Sequence, residues 1–126
     1  MSGDYQAVYD SWSADPQGFW ARAAADVQWY EPWTMVLDDT QPPFYRWFQG
    51  AQLNTCYNAV DYHVENGRAD QPALIYDSPV TDTIRQYTYR QLRDEVALLA
   101  GALTQKGGEK GDRVIIYMPM VPQTVM

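Results

Sequence analysis

The chain has few cysteines, few basic residues and no long apolar run, and each shortage excludes a class of protein. Cys56 is the only cysteine among 126 residues, so an internal disulfide and a thiolate-held zinc or iron–sulfur site are excluded. The longest apolar run, residues 114–121, is much shorter than the roughly 18–20 residues of a membrane-spanning helix. Because the first residues resemble neither a signal peptide nor a transit peptide, we expect a cytoplasmic protein without membrane attachment.

Acidic residues outnumber basic ones, and the excess is unevenly distributed. Nine Lys and Arg stand against 16 Asp and Glu, which gives a net charge of −7. Residues 1–82 hold 3 basic and 12 acidic side chains, whereas residues 83–126 hold 6 basic and 4 acidic ones. No basic cluster interrupts this pattern, so nucleic acid and anionic membranes would be repelled. We expect neither of them as a partner.

The first half of the chain is aromatic, and its pattern predicts two short helices followed by an irregular segment. A first helix is indicated by apolar side chains at helical spacing, namely Tyr5, Val8, Tyr9 and Trp12. Asp15 and Pro16 predict the cap and the first position of a second helix. Residues 27–50 lose any period because three prolines interrupt them. We expect an extended segment there that packs its aromatic side chains against another surface.

The second half carries conventional signals for helices and strands. A helical stripe over residues 56–64 is expected to end at Gly67. Residues 73–77 and residues 85–88 each predict a short strand, and a hairpin is the simplest connection between them. Thr88 and Gln91 form a capping-box pattern, and a helix follows whose apolar stripe predicts a buried face, made of Leu92, Val96, Leu99 and Leu103.

Residues 114–118 are apolar at every position, which is typical of a strand covered on both faces in a parallel sheet. Such a strand needs parallel neighbours and crossover helices. We therefore expect a mixed α/β protein whose residues 1–67 form an extension and whose residues 68–126 begin a larger α/β domain. The sequence is expected to be a truncated, amino-terminal piece.

Several stretches resemble the AMP-forming short-chain acyl-CoA synthetases, and together they cover nearly the whole chain from about residue 5. Residues 50–64, 72–77, 87–92 and 110–120 resemble the entry into the adenylate-forming domain of that family. The amino-terminal extension is matched by aromatic positions, namely Phe19, Trp20, Trp33, Trp47 and Phe48. The sequences LNTCYNAVD (residues 53–61) and IYDSPVT (residues 75–81) most resemble the propionyl-CoA synthetase branch. Tyr62 and Gln123 depart from the family pattern, which has Arg and Glu there.

The resemblance implies a ligase that converts propionate, ATP and coenzyme A into propionyl-CoA, AMP and diphosphate through an acyl-adenylate. The parent would use Mg²⁺ with ATP, and its phosphate loop, adenine pocket and catalytic lysine would lie beyond residue 126. We therefore expect no catalytic, cofactor-binding or metal-binding residue in this segment, and no activity of the segment alone. Its partners would be the remainder of the parent enzyme and, in isolation, further copies of itself. An acetate–CoA ligase and a non-catalytic interaction module that shares the extension remain the alternatives.

Five features could carry chemistry, and in each case a structural role is favoured. Gly107 and Gly108 leave a helix and enter a strand, which is typical of a turn and unlike a phosphate cradle. His63 lies on an apolar helical stripe, so we expect a packed structural histidine. We expect Cys56 to be a half-buried thiol, because no neighbouring residue in the sequence would lower its pKa. Residues 38–39 predict a solvated acidic turn. The aromatic residues 44–48 could form a ligand platform, but packing against the body of a parent protein is favoured.

Overall fold

The computed structural model describes residues 2–126 and separates them into a first unit that ends at Thr55 and a second unit that begins at Cys56. The described residues form three α-helices and two separate two-stranded antiparallel sheets. The expected mixture of helix and strand is therefore confirmed. The expected division into residues 1–67 and 68–126 stays a prediction about domains.

Helices α1 (Ser2–Ala14) and α2 (Pro16–Ala24) open the first unit, as the sequence predicts. The Asp15 carboxylate accepts a hydrogen bond from the Gly18 amide at 2.9 Å. Pro16 occupies the first helical position, where its missing N–H costs nothing. One residue between the helices thus ends the first helix and caps the second.

The segment after α2 contains a small sheet that the sequence analysis missed. Strands β1 (Met35–Asp38) and β2 (Arg46–Gln49) pair antiparallel, with Leu37 opposite Trp47. The expectation of an irregular segment over residues 27–50 is therefore wrong for these eight residues. Strands of four residues are too short to show a reliable period of two, and the proline-containing connection hides the hairpin.

The second unit begins with two π-helical turns, Tyr57–Asp61 and Val64–Arg68. Gly67 adopts the left-handed region with a φ of 82°, close to where the helix was expected to end. Val60 is the one residue of the predicted stripe that is buried. The wider π turns move side chains out of the 3.6-residue phase on which the stripe was based, so the predicted regular face is wrong.

A hairpin and a long helix follow, and both are confirmed. Strand β3 (Pro72–Ser78) pairs antiparallel with β4 (Thr83–Thr88), and α3 spans Tyr89–Gln105. The Thr88 hydroxyl accepts from the Gln91 amide at 3.2 Å, and the Gln91 side chain accepts from the Thr88 amide at 3.0 Å. The predicted capping box therefore starts α3 directly at the end of β4.

The apolar face of α3 is buried only in its first half. Leu92 is 7% exposed, whereas Leu99 is 45% exposed and Leu103 is similarly accessible. The predicted continuous buried stripe is thus wrong beyond Val96. The beginning of α3 is tied to the preceding segment, because the Tyr89 and Arg90 amides donate to the carbonyls of Gln71 and Ala69.

Residues 114–118 were expected to form a strand buried on both faces, and among the described residues they do not. Their backbone makes no sheet ladder, and Ile115 and Tyr117 are 89% and 98% exposed. A strand exists only where a second backbone supplies hydrogen-bond partners, and no neighbouring strand in residues 2–126 does so. A single 3₁₀ turn, Pro122–Thr124, follows.

None of the helices within residues 2–126 combines the length and hydropathy that a transmembrane span requires.

Few of the described residues are buried, and most of the buried ones have small side chains. In the first unit Ala24 is buried, and in the second unit the buried positions are Val60, Ala69, Ser78, Leu92 and Pro122. Each unit therefore holds its shape largely through caps, turns, hairpins and ring contacts.

Candidate functional site

The glycine-rich stretch closes α3. The Gly108 amide donates to the Leu103 carbonyl and the Gly107 amide to the Thr104 carbonyl, both at 3.0 Å. This pair of bonds, with Gly107 at a φ of 90°, is a Schellman motif. The two amides are thus hydrogen-bonded to carbonyls at the end of α3 and do not form a phosphate cradle. The predicted turn is confirmed.

His63 is packed among neighbours of the second unit. Its ring lies 4.8 Å from the Tyr89 ring and 5.6 Å from the Tyr62 ring, measured between centroids. Arg68 donates to Nδ1 across 3.3 Å and lies 5.3 Å from the centroid of the Tyr89 ring. Because guanidinium can only donate, Nδ1 must act as the acceptor in this contact. The arrangement ties the turn after the helix to the start of α3.

Cys56 is exposed, so the expected half-burial is wrong. Partial desolvation of the sulfur, and then the Asp61 carboxylate, raises the pKa of the Cys56 thiol above its ordinary value. A raised pKa lowers the thiolate fraction at neutral pH, which is the opposite of what a nucleophilic cysteine needs.

The acidic pair at residues 38–39 lies at a turn, as predicted. Asp38 Oδ1 accepts from the Thr40 hydroxyl at 2.7 Å and from the Thr40 amide at 3.1 Å. These two bonds, the hydroxyl first, lower the pKa of the Asp38 carboxyl. Within the part of the chain that the structure describes, no three His, Cys, Asp or Glu side chains come together as metal ligands would.

A cluster of aromatic rings forms the centre of the first unit. Phe48 contacts Trp29, Trp33 and Trp47 at centroid distances of 5.6, 5.3 and 6.0 Å. Trp29 and Trp33 meet edge to face at 5.4 Å. We call these four residues the aromatic cluster. Such tilted and edge-on contacts stabilise rings beyond the area they bury.

An apolar cleft of about 260 Å³ opens beside the aromatic cluster, between α2 and β2. The Trp29 indole N–H donates to the Ala24 carbonyl at 2.8 Å, so the one polar atom of that ring is already satisfied. The remaining lining is apolar, from Trp20, Ala23, Ala24, Val27, Phe48 and Leu53. The sequence analysis did not predict this cleft. The only sequence signal for it is the high density of tryptophan in the region.

The aromatic run at residues 44–48 is divided by the fold. Phe48 joins the aromatic cluster, whereas Phe44 is 77% exposed and Tyr45 is also accessible. In the second unit exposed apolar side chains lie on the β3–β4 hairpin, on α3 and in residues 114–118. Contiguous exposed apolar side chains are suited to packing against another protein surface.

Comparison with known families identifies the family of the chain. The acetyl-coenzyme A synthetase N-terminus family matches residues 5–59, and the AMP-binding enzyme family matches residues 61–126. The chain belongs to the AMP-binding enzyme family. It corresponds to the amino-terminal region of AMP-forming short-chain acyl-CoA synthetases, as the resemblance in the sequence indicates.

Individual relatives agree with the family assignment. The chain is 48% identical over 123 residues to the mitochondrial acyl-CoA synthetase short-chain family member 3 of Rattus norvegicus, covering 98% of this chain. It is 44% identical over 117 residues, 92% of this chain, to acetyl-coenzyme A synthetase of Cupriavidus taiwanensis. The solved acetoacetyl-CoA synthetase from Streptomyces lividans superposes with a TM-score of 0.79 at 36% identity, over 91% of this chain. The chain spans 18% of the length of each of these proteins.

Proposed function

We propose that these residues are the amino-terminal segment of a propionate–CoA ligase that forms propionyl-CoA, AMP and diphosphate through an acyl-adenylate. The observation that carries the proposal is the unbroken succession of two family matches, residues 5–59 and then 61–126. That succession is supported by a relative with 48% identity along 98% of the chain. The preference for propionate rests only on the resemblance of residues 53–61 and 75–81 to the propionyl-CoA synthetase branch.

Acetate is the alternative substrate, and it has support of its own. Relatives named acetyl-coenzyme A synthetase from Cupriavidus taiwanensis and Streptomyces coelicolor are 44% and 46% identical to the chain. The two substrates differ by one methylene, which a pocket distinguishes by roughly 10–200-fold. A non-catalytic module with the same extension is the remaining alternative.

The parent enzyme would use ATP, Mg²⁺ and coenzyme A, but the glycine-rich stretch and the acidic side chains of the described residues do not fit a nucleotide phosphate or Mg²⁺. The glycines that could face a phosphate close α3, and the acidic side chains are not gathered as ligands. We therefore assign no reaction step to this segment and propose that it is inactive alone. Its role in the parent is to supply packing surface and the first elements of the α/β domain.

The partner that we propose for the exposed apolar surface is the remainder of the parent enzyme. Residues 114–118 and the second half of α3 present accessible apolar side chains in the second unit. Backbone without a ladder partner and contiguous apolar surface both favour association. In isolation the segment would therefore self-associate, and light scattering that shows a 14.5 kDa monomer at tens of micromolar would contradict this.

An activity assay tests the proposal directly. The complete reading frame that encodes these residues would be expressed, and pyrophosphate release would be measured with ATP, coenzyme A and propionate or acetate. We expect kcat/KM for propionate to exceed that for acetate by about tenfold or more. A preference for acetate supports the first alternative, and no adenylation of any short carboxylate supports the interaction module. The 126-residue chain alone serves as the negative control.

Location is a separate proposal. We propose the cytoplasm as the location of the protein. The rat relative is named mitochondrial, so the mitochondrion is the alternative. Fractionation of cells that express the native gene, with antibody against residues 2–126, distinguishes the two.

A further inference from the structure

A second cleft, unrelated to the aromatic cluster, lies in the second unit. It has a volume of about 260 Å³ and opens between the β3–β4 hairpin and the turn at residues 121–123. Its lining differs in chemistry from the apolar cleft of the first unit. Five of the seven lining residues are polar and none is acidic, namely Tyr76, Thr81, Thr83, Arg85 and Gln123 beside Val121 and Pro122.

The register of the hairpin explains why these side chains converge. Tyr76 of β3 lies directly opposite Arg85 of β4, and Ser78 lies opposite Thr83. Residues two apart on one strand share a face, so Thr83 and Arg85 point to the same side as Tyr76. Asp77 pairs with Ile84 on the other face, which keeps its carboxylate away from the cleft.

Arg85 is the charged residue of this cleft, and in the described part of the chain its guanidinium has no hydrogen bond or ion pair. Two neighbouring arginines behave differently. Arg90 contacts Asp70 at 3.4 Å and Arg93 contacts Asp94 at 3.0 Å. In a chain with 16 acidic and 9 basic residues, a cleft that contains an arginine and excludes every carboxylate is a distinct electrostatic feature.

The hydroxyl groups of Tyr76 and Thr81 add donors beside the guanidinium, whereas the Thr83 hydroxyl already donates within the hairpin. Thr83 Oγ1 donates to the Thr81 carbonyl at 3.0 Å, which holds the turn of the hairpin against its strand. The side chains of Tyr76, Thr81 and Gln123 have no partner among residues 2–126. Guanidinium and hydroxyl groups together are the donor set that recognises a tetrahedral oxyanion, because the fork binds two oxygens and the hydroxyls reach the others.

We propose that this cleft binds a phosphate-type oxyanion, with Arg85 as the principal contact. The group is either free phosphate or the terminal phosphate of a small ester. The volume is below the 300–1,000 Å³ that is typical of drug-sized ligands, so the cleft suits a small group. This site goes beyond the proposed ligase activity, in which no role is assigned to the hairpin.

Nuclear magnetic resonance on the 126-residue chain tests the proposal, at a concentration that light scattering shows to be below the onset of self-association. Sodium phosphate would be titrated into ¹⁵N-labelled protein while sodium chloride keeps the ionic strength constant. We expect saturable shifts confined to the amides of residues 81–85 and 123, with a dissociation constant in the roughly millimolar range. Glycerol 3-phosphate serves as the ester and acetate as a carboxylate control. Tighter binding of one phosphate compound identifies its source, whereas equally tight binding of acetate overturns the phosphate assignment.

Matched variants separate a site from general attraction. Arg85→Gln should weaken phosphate binding by about tenfold or more, because a charge-assisted bond is lost. Arg113→Gln removes the same charge outside the cleft and should change binding by less than about twofold. Equal weakening by the two variants, or no saturable shift in the parent chain, overturns the proposal. If Arg85→Gln does not fold, Thr81→Val and Tyr76→Phe must each weaken binding for the proposal to stand.

Discussion

The two units of this chain are stabilised by different kinds of side chain, aromatic in the first and mainly aliphatic in the second. The first unit gathers aromatic rings, with Phe48 touching three tryptophans and Ala24 as its buried residue. The second unit packs a hairpin and helical turns against α3, with Leu92 and Val60 buried. Rings make directional contacts while half exposed, whereas aliphatic side chains contribute mainly in proportion to the area they bury. The first unit should therefore tolerate loss of a ring better than the second tolerates loss of its leucine.

The largest effect is expected in the second unit. Leu92→Ala should lower the free energy of unfolding by about 2–4 kcal/mol, because a leucine buried at 7% exposure leaves a cavity. Leu99→Ala is the matched control on the same helix and should cost about 1 kcal/mol, since Leu99 is 45% exposed. Urea unfolding followed by far-ultraviolet circular dichroism measures both. Equal losses would mean that the buried face of α3 extends further than the structure shows.

In the first unit, Phe48→Ala should cost about 2 kcal/mol, less than a fully buried phenylalanine because part of its ring is accessible. Tryptophan fluorescence is the specific probe, since all five tryptophans lie between residues 12 and 47. Phe44→Ala provides the control, because Phe44 is 77% exposed and its loss should change the free energy of unfolding by less than about 0.5 kcal/mol. A larger loss from Phe44→Ala would mean that the aromatic cluster includes the connection between β1 and β2.

The helix caps should behave alike in the two units. Asp15→Ala at α2 and Thr88→Ala at α3 should each cost about 1 kcal/mol, because each removes one side-chain acceptor from a helix start. Asp15→Asn and Thr88→Ser keep an acceptor and should restore most of the loss. Thermal unfolding of the four variants makes the comparison. A cap that costs nothing in one unit would show that its helix is held by packing alone.

The smallest effect concerns titration at Asp38. Its folded-state pKa is lowered by the two bonds from Thr40, so these bonds stabilise the fold above the unfolded-state pKa and are lost as the pH falls through the folded-state value. Carbon-13 nuclear magnetic resonance of the carboxyl should give a pKa below that of an ordinary aspartate. Thr40→Val removes the hydroxyl donor and should raise that pKa, whereas an unchanged value would assign the shift to the backbone amide alone.

Much of the local structure followed from short-range patterns. The Asp15–Pro16 cap, the Thr88–Gln91 capping box, the β3–β4 hairpin and the turn at Gly107 are each determined by a few neighbouring residues. Such motifs satisfy backbone groups locally and need no distant partner. The short β1–β2 sheet was not predicted, because its strands of four residues show no clear period of two and the connection between them contains two prolines.

The candidate surfaces were less predictable. The convergence of Arg85 with Tyr76 and Gln123 depends on the hairpin register and on a turn almost forty residues away along the chain. The apolar cleft of the first unit similarly joins side chains from α2, β2 and Leu53. Local pattern cannot reveal which distant residues share a face, because that is fixed by packing between elements.

The sequence by itself determined the family resemblance, the positions of α1, α2 and α3, and their caps, because these depend on residue identity and local spacing. Only the tertiary structure decided that α3 buries Leu92 and leaves Leu99 accessible, and that residues 114–118 stay unpaired within the described chain. The physical reason is that burial and strand pairing are properties of two surfaces. An apolar side chain is removed from water only where another element covers it, and an extended backbone becomes a strand only beside another backbone.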